Sequence, residues 1–179
     1  MNNFFVSTLK SLSQTGTVAP SSKYLIKEIL QRITFEPNQI LIEFGTGNGC
    51  ITDALISRMD SSSILYSLEI NNEFYRYSKK KYAAYPNVRI LNLNATNFDE
   101  ILENREVDYF ISSLPLAIIP NRVTEQIIQK VHQNIKPTGR YIQYQYSLNK
   151  FSYLKKQFKK VELDFTIRNF PPAFIYSCH

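Results

Sequence analysis

The sequence predicts an α/β fold in which a seven-stranded, mostly parallel sheet carries helices on both faces and ends in an antiparallel hairpin. Short apolar runs rich in β-branched and aromatic residues alternate with longer segments of helical spacing, an order typical of parallel sheets covered on both sides. The last two runs are separated only by the turn 168–172, which predicts that they pair antiparallel at one edge. With 179 residues, 44% of them hydrophobic, the chain can bury one substantial core, and we expect a single domain over residues 1–179.

The predicted elements follow from the spacing of the apolar residues, which is two in strands and three or four in helices. The strands cover residues 40–44, 64–69, 88–91, 107–112, 141–146, 161–167 and 173–177. The helices cover residues 3–12, 21–33, 50–59, 71–85, 96–103, 122–135 and 149–159. Pro20 followed by Ser21 and Ser22 indicates a helix start with a serine as N-cap.

Charge and composition restrict the function. The formal net charge of +6 favours an anionic partner, either a nucleic acid or an anionic membrane surface, and does not choose between them. The two cysteines, Cys50 and Cys178, fit reduced thiols better than a disulfide framework. With only His132 and His179 as imidazoles, we expect no metal site. No apolar run approaches the ~18 residues of a spanning helix and no signal peptide is visible, so we expect a cytoplasmic protein.

A glycine-rich turn follows the first predicted strand in the stretch ILIEFGTGNGCITDAL, residues 40–55. Glycines at the carboxyl end of a strand let the backbone approach a ligand closely. The third glycine arrives one residue earlier than in the dinucleotide fingerprint Gly-x-Gly-x-x-Gly, and Glu43 two places before the first glycine would repel a pyrophosphate. The turn therefore favours a positively charged ligand with a flat, adenosine-like body over NAD.

This pattern resembles motif I of the class I S-adenosylmethionine (SAM) dependent methyltransferases, which have a Rossmann-like fold. The resemblance implies that SAM is the cofactor and that the chain is an enzyme. An acidic residue at the end of the second strand, where two ribose hydroxyls need an acceptor, strengthens it. The expected cofactor-binding residues are Glu43, Gly45, Thr46, Gly47 and Gly49 around the methionine and ribose, Glu69 and Ile70 at the ribose hydroxyls, and Asn94 and Ala95 at the adenine.

The segment after the fourth strand brackets the methyl group and the acceptor in such enzymes. The ribosomal RNA adenine dimethylases carry Asn-Leu-Pro-aromatic there, in which the polar residue accepts from the base and the aromatic stacks on it. This chain has Ser113-Leu114-Pro115-Leu116, which keeps a hydrogen-bond acceptor but offers no aromatic stacking face. Nucleic acid is therefore the less favoured acceptor.

Three segments together resemble the small bacterial phospholipid N-methyltransferases, including the ornithine-lipid N-methyltransferases: GTVAPSSKYL, SSLPLAIIP and NFPPAFIY. The resemblance spans nearly the whole chain, with Ser113 in place of that family's glycine. It implies N-methylation of an aminolipid headgroup at an anionic membrane surface, with a peripheral contact to the inner membrane. The expected catalytic residues, which position the amine for methyl transfer, are Ser112, Ser113, Leu114 and Pro115. The expected substrate-binding residues are Ser21, Ser22, Tyr144 and Tyr146.

The segment of residues 1–34 is expected to be helical and either to cap the cofactor site or to touch a membrane, since Phe4, Phe5, Leu9 and Leu12 share one helical face. Two alternatives stay open for the function. One is an RNA adenine N6-methyltransferase of the dimethylase kind. The other, of a different class, is a SAM-binding protein without catalysis that acts as a partner, because fold alone does not establish activity.

Overall fold

The computed structural model describes residues 21–179, and their seven strands form one sheet. The strands are β1 Ile40–Phe44, β2 Ile64–Leu68, β3 Val88–Leu91, β4 Val107–Ser112, β5 Ile135–Gln145, β6 Val161–Thr166 and β7 Ala173–Cys178. Their order across the sheet is β3-β2-β1-β4-β5-β7-β6. The first five pair parallel, while β7 pairs antiparallel with both β5 and β6. The predicted fold class is confirmed, including the antiparallel hairpin.

Residues 21–179 also contain five α-helices and one 3-10 helix, of which the first α-helix precedes β1. They are α1 Lys23–Leu30, α2 Cys50–Ile56, α3 Asn72–Lys81, α4 Asn121–Asn134, α5 Phe151–Gln157 and the 3-10 helix Ala95–Ile101. The predicted N-cap of the first of these is confirmed, because the side chain of Ser22 accepts the backbone N–H of Leu25. No helix within residues 21–179 is long and apolar enough to cross a membrane. The predicted helix 3–12 and its apolar face lie outside the described residues.

The prediction of an α-helix over residues 96–103 is wrong, since the segment forms a 3-10 helix. Its polar side chains bond locally: the side-chain oxygen of Asn94 accepts the N–H of Thr96, and the Thr96 hydroxyl donates to Asn97. Such bonds compete with the regular helical ladder and favour short turns. The five other helices predicted within the described residues, at 21–33, 50–59, 71–85, 122–135 and 149–159, are present but shorter or shifted at their ends.

Strand β5 begins at Ile135, six residues before its predicted start at 141, and no loop separates it from α4. Its pairing with β4 is interrupted by a register shift between Val107 and Tyr109. A Cβ atom at Gly139 would lie 2.9 Å from the carbonyl oxygen of Asp108. The glycine therefore lets the extra residues pass β4 as a bulge, which sequence periodicity alone does not reveal.

The sheet separates two hydrophobic clusters. On one face the rings of Phe44, Phe98 and Phe110 lie with centroids 5.1–5.6 Å apart. On the other face α1 contributes Leu25 and Ile29, both almost fully buried. Because both faces are packed, the carboxyl ends of the strands are held firmly, and side chains placed there keep fixed positions.

Candidate cofactor and acceptor site

The turn from β1 into α2 is a glycine-rich loop, residues 45–49, in which Gly45 and Gly49 have backbone conformations that favour glycine. The angle φ is 87° at Gly45 and 83° at Gly49, in the left-handed region. The amide N–H of Gly45 donates to the carbonyl oxygen of Leu68 at 2.9 Å. A Cβ atom at Gly45 would lie 2.4 Å from the Oγ atom of Ser113. The loop therefore crosses the end of β2 and packs against the segment that follows β4.

Tyr82, just after α3, fixes the far end of this loop. Its hydroxyl lies 2.9 Å from the carbonyl oxygen of Gly49 and 2.9 Å from Oδ1 of Asp53, so its proton is available to either acceptor. Lys81 forms an ion pair with the same Asp53 carboxylate at 2.6 Å. A Cβ atom at Gly49 would lie 2.2 Å from the Tyr82 hydroxyl. Sequence reasoning missed Tyr82, because no motif distinguishes it from an ordinary buried aromatic residue.

Glu43 lies beneath the loop and is only 1% exposed. Its Oε2 atom accepts two hydrogen bonds of 2.6 Å, from the hydroxyls of Thr52 and Ser67. Ser67 also lies 2.6 Å from the hydroxyl of Thr46 in the loop. The Oε1 atom of Glu43 is buried and has no hydrogen-bond partner among the described residues. Burial away from water raises the pKa of the Glu43 carboxyl to about 7, although the two hydroxyl donors oppose this.

An unpartnered carboxylate oxygen in a dry position is costly for the empty protein and favourable for a cation that reaches it. Glu43 therefore offers a free carboxylate oxygen to a positively charged group, and its contact with the cofactor stays a prediction.

Glu69 lies at the end of β2 and bridges the loop to α3. Its Oε2 atom accepts the N–H of Gly47 at 2.9 Å, and its Oε1 atom accepts the N–H of Asn71 at 2.8 Å. Burial raises the pKa of the Glu69 carboxyl, while the bonds from Asn71, Gly47 and the neighbouring Ile70 lower it. These three N–H donors leave one of the four lone-pair positions of the carboxylate for a further donor. Its role, and that of Ile70, at the ribose stays a prediction.

The two residues expected at the adenine adjoin the 3-10 helix. The Oδ1 atom of Asn94 accepts the N–H of Thr96 at 3.0 Å and caps that helix, which leaves one lone pair on the oxygen. Ala95 is buried in the cluster under this helix. Contact of either residue with adenine stays a prediction.

Ser113 joins the segment after β4, residues 113–116, which we call the acceptor segment, to the glycine-rich loop. Its Oγ atom lies 2.9 Å from the carbonyl oxygens of both Phe44 and Gly45. Both neighbours are acceptors, so the hydroxyl proton points to one of them. The lone pairs of the Ser113 oxygen are then left to accept a hydrogen bond from an incoming N–H.

Two buried glutamines of β5, which sequence reasoning missed, hold the acceptor segment in place. The Nε2 atoms of Gln143 and Gln145 donate to the carbonyl oxygen of Leu114 at 3.0 and 2.7 Å. Ser112 is fully buried, and its hydroxyl accepts the N–H of Leu114 at 3.3 Å. The visible role of Ser112 is thus to shape the segment, and Ser113 is the serine with surface on the site.

The last two residues of the acceptor segment differ in exposure. Pro115 is half-buried, whereas Leu116 is fully buried in the core cluster of its face. Position 116 therefore presents no side-chain face to a ligand.

The four predicted substrate-binding residues come together beside β5. The hydroxyls of Ser21 and Tyr144 lie 3.4 Å apart, and the rings of Tyr144 and Tyr146 meet edge to face at 6.0 Å. The N–H of Ser22 donates to Oδ1 of Asn169 at 2.9 Å. Burial raises the pKa of the Tyr144 hydroxyl, and the charges of Tyr146 and Glu43 add to the rise. Asn169 lies in the β6–β7 turn and is only 3% exposed. The sequence did not indicate its role, because asparagine is common in turns.

These residues fit SAM. The glycine-rich loop provides a close backbone approach, Glu43 offers a free oxygen to a cationic group, and Glu69 places a second carboxylate one strand away. No group of three His, Cys, Asp or Glu side chains that could hold a metal ion occurs within residues 21–179.

Comparison with known proteins yields one family and two kinds of relatives. The family model described as ribosomal RNA adenine dimethylase matches residues 20–158. An ornithine lipid N-methyltransferase from Singulisphaera acidiphila is 26% identical over 191 aligned residues, covering 99% of this chain and 96% of that protein. A ribosomal RNA small subunit methyltransferase A from a Sulfurihydrogenibium species is 26% identical over 54% of this chain and 38% of its own length. The chain spans less than half the length of the ribosomal RNA methyltransferases that it matches.

Among solved structures, a precorrin-6y C5,15-methyltransferase from Geobacter metallireducens superposes with a TM-score of 0.72 at 15% identity, covering 88% of this chain and 87% of that one. At this identity the likeness shows the fold.

Proposed function

Because the chain belongs to the ribosomal RNA adenine dimethylase family and is a SAM-dependent N-methyltransferase, we propose that it methylates the amino group of an aminolipid headgroup. The observation that carries the proposal is the end-to-end match to the ornithine lipid N-methyltransferase, over 99% of this chain and 96% of that protein. Matches to ribosomal RNA methyltransferases cover at most 73% of this chain.

The acceptor segment offers a hydrogen-bond acceptor and no stacking face, which is sufficient for a lipid amine. Base recognition outside a duplex depends on aromatic stacking. The side chain at the stacking position, Leu116, is aliphatic and fully buried, so it supplies no stacking face. An amine on a flexible headgroup needs less, namely an acceptor for its N–H and a dry pocket. Ser113 supplies that acceptor.

The chain's task in this reaction is alignment. SAM supplies an electrophilic methyl group on its sulfonium. The Ser113 oxygen, fixed 2.9 Å from the Gly45 carbonyl oxygen, ties the position of the acceptor amine to the loop on which the donor rests. A lysine-like amine with a solution pKa of ~10.4 must lose its proton before it attacks, and a poorly hydrated pocket favours the neutral form.

The tyrosines beside β5 suit the product. Methylation turns the amine into a more substituted cation, which the faces of Tyr144 and Tyr146 can hold by cation–π contact. The amide of Asn169 and the hydroxyl of Ser21 provide polar atoms next to these rings. We infer that this cluster receives the headgroup beyond its amine.

A second candidate is N6-methylation of adenine in ribosomal RNA. It is favoured by the family model itself, by the ribosomal RNA methyltransferases among the relatives, and by the net charge of +6. The non-catalytic alternative loses its basis, since the family and the relatives are methyltransferases.

The test is transfer of labelled methyl groups from SAM to phosphatidylethanolamine and ornithine lipid in detergent micelles and, in parallel, to unmodified ribosomal RNA transcribed in vitro. Label is expected in the lipid phase. Label in RNA with none in either lipid would reject the proposal and establish the second candidate. Ser113→Ala should lower turnover on the lipid about tenfold, the effect of one hydrogen bond, and leave the affinity for S-adenosylhomocysteine (SAH) nearly unchanged. Ser113→Gly, which matches the related lipid enzymes, separates loss of the hydroxyl from loss of the β-carbon, which alanine retains.

A further inference from the structure

Four short segments meet at the carboxyl edge of the sheet around the opening of the site. Strand β6 runs in the same direction as β5, because both pair antiparallel with β7. The segments after β4, β5 and β6 therefore emerge at one edge, and the bond from the Ser22 N–H to Asn169 brings the start of α1 to the same place. We call these segments the mouth surface: residues 21–24, 113–122, 145–153 and 166–173.

The mouth surface carries an unusual share of exposed apolar side chains. Ten large hydrophobic residues are exposed within residues 21–179, and six of them lie in these four segments: Tyr24, Ile118, Tyr146, Leu148, Ile167 and Phe170. The turn between β6 and β7 is the extreme case, since Ile167 is 74% and Phe170 89% exposed. Apolar side chains gathered at the opening of a site indicate a surface that another apolar medium covers.

The charge of the mouth surface has a single sign. Its four segments contain no Asp or Glu and four basic residues: Lys23, Arg122, Lys150 and Arg168. None of these four forms an ion pair within the part of the chain that the structure describes. Elsewhere basic side chains such as Lys81, Lys130 and Lys136 are paired with aspartates. The guanidinium of Arg168 and the ammonium of Lys23 instead lie over the ring of Tyr24, at 5.1 and 5.3 Å.

We propose that the mouth surface docks on an anionic lipid bilayer, with Ile167 and Phe170 entering the region between headgroups and acyl chains. The proposal rests on the proposed function and deepens it, since it states how a membrane-bound amine reaches Ser113. The unpaired basic residues match the anionic phosphates, and the apolar turn matches the acyl boundary beneath them.

A bilayer is the one partner that fits both properties at once. A polyanion such as RNA would use the four basic residues and leave Ile167 and Phe170 in water. Association with an apolar protein surface would use the turn and leave the cations unmatched.

The first experiment uses Phe170→Trp, a conservative change that creates the single tryptophan of the chain, which has none. Vesicles of phosphatidylcholine with increasing phosphatidylglycerol, free of any aminolipid, are added while tryptophan emission is recorded. The expected result is a shift to shorter wavelength that grows with the anionic fraction. Tyr77→Trp, at a 56% exposed position on α3, is the matched control and should not shift. An emission already at short wavelength without vesicles would overturn the proposal, because the turn would then be covered by the protein itself or by a second copy.

The second experiment measures cosedimentation with the same vesicles. Ile167→Ser with Phe170→Ser should lower binding several-fold, and Lys150→Gln with Arg168→Gln should lower it about fivefold for each basic residue removed. Arg76→Gln with Lys80→Gln, on exposed positions of α3, changes the net charge equally and should have little effect. If Lys150→Gln with Arg168→Gln lowers vesicle binding but Ile167→Ser with Phe170→Ser leaves it unchanged, the turn does not insert. This result would refute the proposal and indicate a polyanion as the partner.

Failure of this proposal and failure of the proposed function give different results. If the vesicles bind as expected but no aminolipid is methylated in micelles, the docking stands and the substrate is wrong. If an aminolipid is methylated in micelles but the mouth variants bind vesicles like the unaltered chain, the substrate stands and the docking surface is wrong.

Discussion

Replacing Glu43 by glutamine should remove a pH-dependent loss of stability from the protein without cofactor. The Glu43 carboxyl has a pKa of about 7 in the folded chain, against an ordinary value of 4.5, because it is buried and one of its oxygens has no partner. A raised carboxyl pKa means that the folded state holds a proton that the unfolded state has lost. The stability that this proton provides is complete below pH 4.5 and disappears as the pH rises through 7.

The magnitude follows from the two pKa values. One pKa unit corresponds to about 1.4 kcal/mol. Integrated from about pH 5 to about pH 8, the free energy of unfolding of the unaltered chain should fall by about 2.5 kcal/mol relative to that of Glu43→Gln. The assay is urea unfolding of both proteins at several pH values without cofactor. A difference that stays constant over this range would refute the reasoning about the buried carboxyl.

Thr52→Val independently tests the direction in which the free energy of unfolding changes with pH. The Thr52 hydroxyl donates to Oε2 of Glu43 at 2.6 Å and lowers its pKa. Without this donor the pKa of Glu43 should rise further, and the pH range of falling stability should extend to higher values.

The same carboxylate should matter to the cofactor. If its free oxygen meets the ammonium that SAM and SAH share, Glu43→Gln should weaken both about equally, by roughly 10- to 100-fold above pH 7, as expected for a hydrogen bond to a charged group. Calorimetry with both ligands measures this. A loss confined to SAM would assign Glu43 to the sulfonium.

Two further predictions concern the loop. Glu69→Ala should cost on the order of 1–3 kcal/mol of SAH affinity by calorimetry, and an unchanged affinity would remove Glu69 from the site. Gly49→Ala should be strongly destabilising in thermal unfolding, because φ is 83° and the new Cβ would lie 2.2 Å from the Tyr82 hydroxyl. In a Tyr82→Phe background the contact with the hydroxyl disappears, so the two changes together should cost less than their sum, and strict additivity would contradict the close contact.

The fold could be predicted because most of the strands contain a short run rich in apolar residues and the connections between them are short. Three of the seven predicted strands, 40–44, 88–91 and 107–112, match the structure residue for residue. Prediction failed where tertiary contacts decide, as at β5, whose first residues pair with β4 only because Gly139 lets a bulge pass. The 3-10 helix was missed because local side-chain bonds of Asn94 and Thr96 override a weak helical pattern.

The locations of the expected site residues could be predicted near strand ends and not where distant segments meet. The sequence places Glu43 and Glu69 at the ends of β1 and β2 because their positions along the chain fix their positions in the sheet, and their contact with the cofactor stays a prediction. Tyr82, Gln143 and Asn169 reach the site across 33, 29 and 147 residues of sequence. No local pattern records such contacts, so only the packed structure reveals them.

The burial of Leu116 changes where the choice of acceptor should be sought. In the sequence, the absence of an aromatic residue at this position argued against a base, on the assumption that the side chain faces the acceptor. In the structure it packs in the core, so Leu116→Tyr would meet a filled interior and would not create a stacking face. We therefore expect the residues that distinguish one acceptor from another to lie at the opening of the site, among the exposed side chains of the mouth surface. If the acceptor is the proposed lipid amine, we therefore expect the exposed strand-end loops to decide its recognition, and exchanging the β6–β7 turn should alter it more than a change at Leu116.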